Sequence, residues 1–158
     1  MGRFKKISLK HVLVISRLKT ISSQCKFVNP ICPPESADPF VCYKDEYYYF
    51  CVTTGNNVTI HKSKRLEEVA EAPGVVVWTV GNEVKSDVWA PEIHYINGKW
   101  YIYASGNPVG GLNLSPQYMF VLEGNTQDAQ GKYTYKGIYY DQPAIDGTGW
   151  ILPQFIAL

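Results

Sequence analysis

Short runs of aromatic and β-branched residues, separated by turn residues, predict that this chain folds into antiparallel β-strands. The strongest local signal is Asn97-Gly98 between two such runs, because a two-residue hairpin turn requires positive φ at both central positions. The pair Asp45-Glu46 separates two earlier runs in the same way. Strands are predicted over residues 40–44, 47–53, 57–62, 74–80, 90–96, 99–105, 117–123 and 133–138. The fold class is therefore all-β.

The strand pattern also repeats along the chain. A carboxylate precedes a short strand at Asp38 and at Glu92, and the pattern begins again at Asp146, with 54 residues between successive carboxylates. A period of this size indicates the four-stranded antiparallel blades of a β-propeller. Equivalent positions on successive blades point the same way, so the three carboxylates are expected to converge near the central channel. Chance alignment of common residues is the alternative.

The length limits how much of a propeller these residues form. A propeller usually has 4–8 blades, whereas 158 residues at a period of 54 hold fewer than three. The repeat fails after residue 148, and Pro153 stands where a central strand should continue. We therefore interpret residues 27–158 as the N-terminal part of a truncated propeller with about two and a half blades. Residues 1–26 are interpreted as a basic, poorly ordered extension.

Charge is distributed unevenly, although the formal net charge is only +1. Residues 1–26 contain seven basic and no acidic residues, which leaves residues 27–158 with a net charge of −6. An acidic body argues against a nucleic-acid partner, because phosphate neutralisation needs clustered Lys and Arg. The apolar run at residues 11–15 is too short for a normal secretory signal, so localisation stays open. No run approaches the roughly 18 apolar residues of a membrane helix, so no membrane partner is expected.

Two of the four cysteines, Cys42 and Cys51, lie on neighbouring predicted strands. A turn at residues 45–46 makes them diagonal neighbours rather than directly opposed, which is a poor geometry for a disulfide. Free thiols are therefore favoured, and the cysteine spacing does not suit a zinc site.

Carboxylates on different blades suit the hydrolysis of a glycosidic bond with inversion. One carboxyl group protonates the leaving oxygen, and a second activates water on the opposite face of the sugar at roughly 6.5–9.5 Å from the first. A third carboxylate can orient the acid and raise its pKa by like-charge repulsion. Residues from separate blades around a channel can meet this spacing, whereas sequence neighbours usually cannot.

Three motifs carry a resemblance to a known family: Asp38-Pro39-Phe40-Val41, Val88-Trp89-Ala90-Pro91-Glu92-Ile93 and Ala144-Ile145-Asp146-Gly147-Thr148. In this order and spacing they resemble glycoside hydrolase family 43, over about residues 27–148. Members of that family are five-bladed β-propellers that act as α-L-arabinofuranosidases, arabinanases and β-xylosidases. The resemblance thus implies an incomplete five-bladed propeller and a plant-type polysaccharide or oligosaccharide as substrate.

The resemblance implies a role for each of four residues. Asp38 matches the general base that activates water, and Asp146 matches the carboxylate that orients the general acid and modulates its pKa. Trp89 would contact the sugar, with Glu92 beside it. The general acid of the family is a glutamate on a later blade, which these 158 residues do not reach. The chain alone is therefore expected to be inactive or barely active on natural arabinosides or xylosides.

Each of these residues also has a purely structural interpretation. Asp38 would begin a strand, Asp146 would belong to a turn, and Trp89 would pack in a blade core. Glu92 would make a structural hydrogen bond. No cofactor and no metal site are expected here, although the complete family fold sometimes holds a structural calcium ion in its channel. The alternative function is a non-catalytic propeller remnant that binds carbohydrate or protein.

Overall fold

The computed structural model describes residues 31–109 and 117–140, except for the side chain of Tyr140. Within these residues the chain forms two four-stranded antiparallel sheets, and each sheet is a meander whose strands follow chain order. Several predictions lie outside the described residues, namely the basic extension, the start of a third blade and Asp146.

The first sheet contains four strands joined by short connections. They are β1 (Phe40–Lys44), β2 (Tyr47–Cys51), β3 (Asn57–Ser63) and β4 (Gly74–Thr79). The link between β3 and β4 includes a single 3-10 turn at Leu66–Glu68.

The second sheet repeats this plan with longer strands. They are β5 (Ser86–Ile96), β6 (Lys99–Asn107), β7 (Tyr118–Gly124) and β8 (Tyr133–Tyr140). All eight predicted strands are confirmed. The largest difference in bounds is at β5, which begins four residues earlier than predicted because its first part pairs with the end of β6 through two irregularities.

Both predicted hairpins are confirmed as two-residue turns. In the first, Asp45 and Glu46 have φ of 50° and 65°, and in the second, Asn97 and Gly98 have φ of 49° and 85°. Positive φ at both central residues gives a turn whose twist matches that of the flanking strands. The turns therefore fix the register of β1 on β2 and of β5 on β6.

This register corrects one prediction from the sequence. The matching pairs are Phe40 with Cys51 in the first sheet and Glu92 with Tyr103 in the second, which corresponds to a shift of 52 residues. The predicted equivalence of Asp38 and Glu92, which needs a shift of 54, is therefore wrong. The residue equivalent to Asp38 is Ala90, and Glu92 lies two residues, about 7 Å, further along the strand.

The core lies between the two sheets, where β5 packs against the first three strands. Its largest buried side chain is Trp100, which is 2% exposed. The ring centroid of Trp100 is 5.0 Å from that of Tyr49 in the first sheet and 5.0 Å from that of Tyr95 in the second. Fully buried aliphatic residues complete the core: Val58, Ile60, Val88, Ile93, Ile102 and Leu122.

The prediction of free thiols is confirmed for Cys42 and Cys51. Cys51 is fully buried and its Sγ donates to the carbonyl oxygen of Pro91 at 3.0 Å. Burial raises the pKa of the Cys51 thiol, and the nearby Glu92 carboxylate raises this pKa further. The thiol therefore stays protonated and able to donate.

We expect iodoacetamide at about pH 8 to alkylate Cys32 and Cys42 in the folded chain, and Cys51 only after unfolding. Peptide mass spectrometry measures the three rates separately. Because the folded-state pKa of Cys51 is raised, its contribution to stability is complete below its ordinary pKa of 9.0 and is lost as the pH rises above that value. Equal labelling of Cys42 and Cys51 in the folded chain would contradict this assignment.

Candidate functional site

Backbone strain is concentrated near the start of the first strand of each sheet, β1 and β5. Asp38 and Ala90 have φ of 52° and 45°, and each precedes a proline. Asp87 has φ of 57°. Among the described residues these three are the positive-φ positions other than glycine that lie outside the hairpin turns. Left-handed backbone costs a residue with a Cβ about 1–2 kcal/mol and persists where surrounding contacts impose it.

Thr53 supplies such contacts at two of these positions. Its hydroxyl donates to Asp38 Oδ2 at 2.8 Å and accepts the backbone N–H of Ala90 at 2.8 Å. The backbone N–H of Thr53 donates to the carbonyl oxygen of Ala37 at 3.0 Å. One threonine therefore connects the carboxylate before β1 to the backbone of β5 in the next blade.

Further hydrogen bonds join the same two segments. Gly55 N donates to Val88 O at 3.2 Å, and Val88 N donates to Gly55 O at 2.9 Å. With the Cys51–Pro91 bond and the Thr53–Ala90 bond, they form what we call the inter-blade strap. The strap consists of Cys51, Thr53 and Gly55 on the first blade and Val88, Ala90 and Pro91 on the second.

Trp89 is half-buried and lies between two strap residues, Val88 and Ala90. The register of β5 on β6 shifts on both sides of the pair that Trp89 makes with Ser105. Such irregularities bend a strand and redirect its side chains. Residues 88–90 are called the Trp89 segment below. The strap, through Thr53, brings Asp38 and the Trp89 segment into one hydrogen-bonded unit.

Glu92 follows the strap residue Pro91, but its side chain has a different partner. Its side chain is 13% exposed, and its Oε2 is 3.2 Å from Nε2 of His94. The His94 ring in turn contacts the rings of Phe40 and Tyr103, at centroid distances of 5.1 Å and 5.8 Å. The Glu92 side chain thus has a partner in His94, as its structural interpretation requires. Its contact with sugar stays a prediction.

Two polar residues at this site were missed by reasoning from the sequence. Thr53 falls beyond the end of β2 and has no motif around it. Asp87 is half-buried and accepts a hydrogen bond from the Ser86 hydroxyl at 2.7 Å. The only available signal was its place two residues before Trp89.

Residues 31–109 and 117–140 were searched for a metal site and for a membrane-spanning helix. In this part of the chain no group of three or more His, Cys, Asp or Glu side chains is placed to hold a metal ion. The calcium ion of the complete fold stays a prediction. The described part of the chain also has no helix with the length and apolar character needed to span a bilayer.

Comparison with known proteins extends these observations. Residues 27–151 match the family model for Glycosyl hydrolases family 43. The chain belongs to glycoside hydrolase family 43. The match covers both four-stranded sheets and all three sequence motifs, the last of which ends at residue 148.

Curated relatives that resemble the chain are named as arabinofuranosidases. The chain is 33% identical over 122 residues to an extracellular exo-α-(1→5)-L-arabinofuranosidase of Streptomyces avermitilis, covering 73% of this chain and 25% of that protein. It is 30% identical over 146 residues to α-L-arabinofuranosidase 43 of Humicola insolens, covering 84% of this chain and 28% of that protein. The chain thus spans about a quarter of the length of these two relatives.

Solved structures give the same fold. The crystal structure of an α-L-arabinofuranosidase from Lactobacillus brevis superimposes with a TM-score of 0.64 at 26% identity, covering 76% of this chain and 40% of that one. An endo-arabinase from Bacteroides thetaiotaomicron matches with a TM-score of 0.50 at 18% identity, over 63% of this chain and 34% of that one. The two sheets are therefore blades of the family 43 five-bladed propeller, as predicted.

Proposed function

We propose that this family 43 chain forms part of an active site that hydrolyses arabinofuranosyl bonds in arabinose-containing polysaccharides with inversion. In this proposal Asp38 is the general base, Asp146 orients the general acid, and Trp89 contacts the sugar, with Glu92 nearby. We propose arabinose rather than xylose as the sugar because the two curated relatives described above and the Lactobacillus brevis structure are named as α-L-arabinofuranosidases.

The observation that carries the proposal is the environment of Asp38. Its side chain is exposed to solvent, and Thr53 engages Oδ2. Within the described residues Oδ1 has no hydrogen-bond partner, so it is available to a water molecule. A general base needs this combination of a fixed carboxylate and an open oxygen, because proton transfer requires a heavy-atom distance of about 2.6–3.2 Å.

The general acid is proposed to come from outside these 158 residues, as the family resemblance implies. Loss of a positioned acid typically lowers the rate 10²–10⁴-fold when the leaving group needs protonation. An aryl leaving group such as 4-nitrophenolate departs without much help from an acid. The two kinds of substrate therefore separate the function of Asp38 from that of the general acid.

We expect the purified chain to hydrolyse 4-nitrophenyl α-L-arabinofuranoside slowly and methyl α-L-arabinofuranoside not measurably. The aryl activity should disappear in Asp38→Ala, and ¹H NMR should detect the β-anomer as the first product. Cleavage of both substrates would place the acid within the chain and make Glu92 the first residue to replace, by Glu92→Gln. Binding of the aryl arabinoside without cleavage would favour the non-catalytic, carbohydrate-binding alternative.

A further inference from the structure

The two hydrogen bonds of Thr53 have a fixed direction. A hydroxyl group has one hydrogen to donate and two lone pairs that accept. The backbone N–H of Ala90 can only donate, so it occupies a lone pair of Thr53 Oγ1. The hydroxyl hydrogen is therefore committed to Asp38 Oδ2 at 2.8 Å. Thr53 Oγ1 thereby links the Asp38 carboxylate to the backbone N–H of Ala90 in the neighbouring blade.

The position of Thr53 in the inter-blade strap strengthens this connection. Cys51, Thr53 and Gly55 alternate along the chain, and each makes a hydrogen bond across the blade boundary. Thr53 is the middle of the three. Its partner Ala90 is held at φ of 45°, a conformation that relaxes readily unless a contact maintains it.

A hydroxyl group also recurs at the equivalent position of the second blade. Ser105 lies 52 residues after Thr53, the same shift that relates the two sheets. Ser105 is fully buried and pairs with Trp89 across β5 and β6. The fold therefore accommodates serine at this register, which makes Thr53→Ser a suitable conservative variant.

We propose that Thr53 is a positioning residue that holds the Asp38 carboxylate in a fixed place relative to the Trp89 segment. The proposal rests on the proposed function, in which Asp38 activates water and Trp89 contacts the sugar. Because Thr53 bonds Oδ2, it also leaves Oδ1 as the oxygen that faces water. Thr53 itself does not touch the reacting atoms.

Three variants test this role. Thr53→Val keeps the size and β-branching of the side chain but removes the hydroxyl, and Thr53→Ser restores the hydroxyl. Thr59→Val is the matched control, because the Thr59 hydroxyl also donates to a nearby side-chain oxygen, Asn57 Oδ1, at 2.8 Å but lies outside the strap. The measurements are kcat and KM with 4-nitrophenyl α-L-arabinofuranoside, hydrogen exchange of the Ala90 amide by NMR, and the melting temperature.

We expect Thr53→Val to lower kcat about ten- to a hundredfold with little change in KM, and to speed exchange of the Ala90 amide about tenfold. Thr53→Ser should recover most of both effects, and Thr59→Val should show neither. Wild-type kcat and wild-type exchange in Thr53→Val would overturn the proposal. So would an equal loss of kcat in Thr59→Val, since this would indicate general destabilisation.

A separate readout distinguishes this proposal from the proposed function. If the wild-type chain hydrolyses no arabinofuranoside, the proposed function fails, and the ¹³C signal of the Asp38 carboxyl group then decides the role of Thr53. That signal should move in Thr53→Val, stay near its original position in Thr53→Ser and remain unchanged in Thr59→Val. An unmoved signal in Thr53→Val would overturn the positioning role by itself.

Discussion

Replacing Trp100 with alanine is expected to lower the free energy of unfolding by about 3–5 kcal/mol. The side chain is 2% exposed and its ring contacts Tyr49 of the first blade and Tyr95 of the second. Its Nε1 also donates to the carbonyl oxygen of Gln127 at 3.0 Å. The substitution would leave a large cavity between the blades. Since a domain of this size is stable by only about 5–15 kcal/mol, such a loss would remove a large fraction of the total stability.

Two further variants make the Trp100 experiment specific. Trp100→Phe keeps most of the buried area but loses the hydrogen bond to Gln127, which should cost about 1 kcal/mol for the bond itself. Tyr43→Ala removes a ring that is 61% exposed and should change stability little. Urea denaturation followed by far-UV circular dichroism measures all three. A loss below about 1 kcal/mol in Trp100→Ala would contradict the assignment of Trp100 to the core between the blades.

The substitution Asp38→Asn is expected to lower kcat for the aryl arabinofuranoside about 10²–10⁴-fold. Asparagine has nearly the same shape, tolerates positive φ and retains an oxygen that accepts the Thr53 hydroxyl. It cannot accept a proton from water. The substitution therefore removes the proposed chemistry while preserving the strap.

The matched control for this experiment is Asp45→Asn. Asp45 is an exposed carboxylate on the same blade, with φ of 50° in the hairpin turn, so the substitution makes the same change of charge away from the site. Steady-state kinetics and circular dichroism compare the two variants with the wild type. A rate loss of similar size in both, or no loss in Asp38→Asn, would rule out Asp38 as the general base.

The fold was predictable because its determinants are local. Turn residues such as Asn97-Gly98 dictate their own backbone conformation, and each short aromatic run needs only its nearest neighbour to form a sheet. The same local geometry was sufficient to predict that Cys42 and Cys51 stay free.

The candidate site was predictable only in part. Asp38 and Trp89 belong to recognisable motifs, but their connection through Thr53 depends on how one blade packs on the next. The error for Glu92 has a different origin. The carboxylate spacing of 54 exceeds the structural shift of 52 by two residues, and an even difference leaves the alternation of faces intact. The alternation of hydrophobic and polar residues therefore could not reveal that Asp38 and Glu92 are not equivalent.

The inter-blade strap also bears on the order in which the molecule assembles. Its bonds from Thr53 to Ala90 and from Cys51 to Pro91 connect residues 37 and 40 positions apart, whereas the β1–β2 and β5–β6 hairpins each close over two turn residues. Closing a longer loop costs more chain entropy before any contact compensates for it, so distant contacts tend to form late. Topology therefore favours a sequence of events in which each blade folds on its own and the blades dock afterwards. The contacts that hold Asp38 beside the Trp89 segment would then appear at the docking step, and weakening them would chiefly accelerate unfolding rather than slow folding.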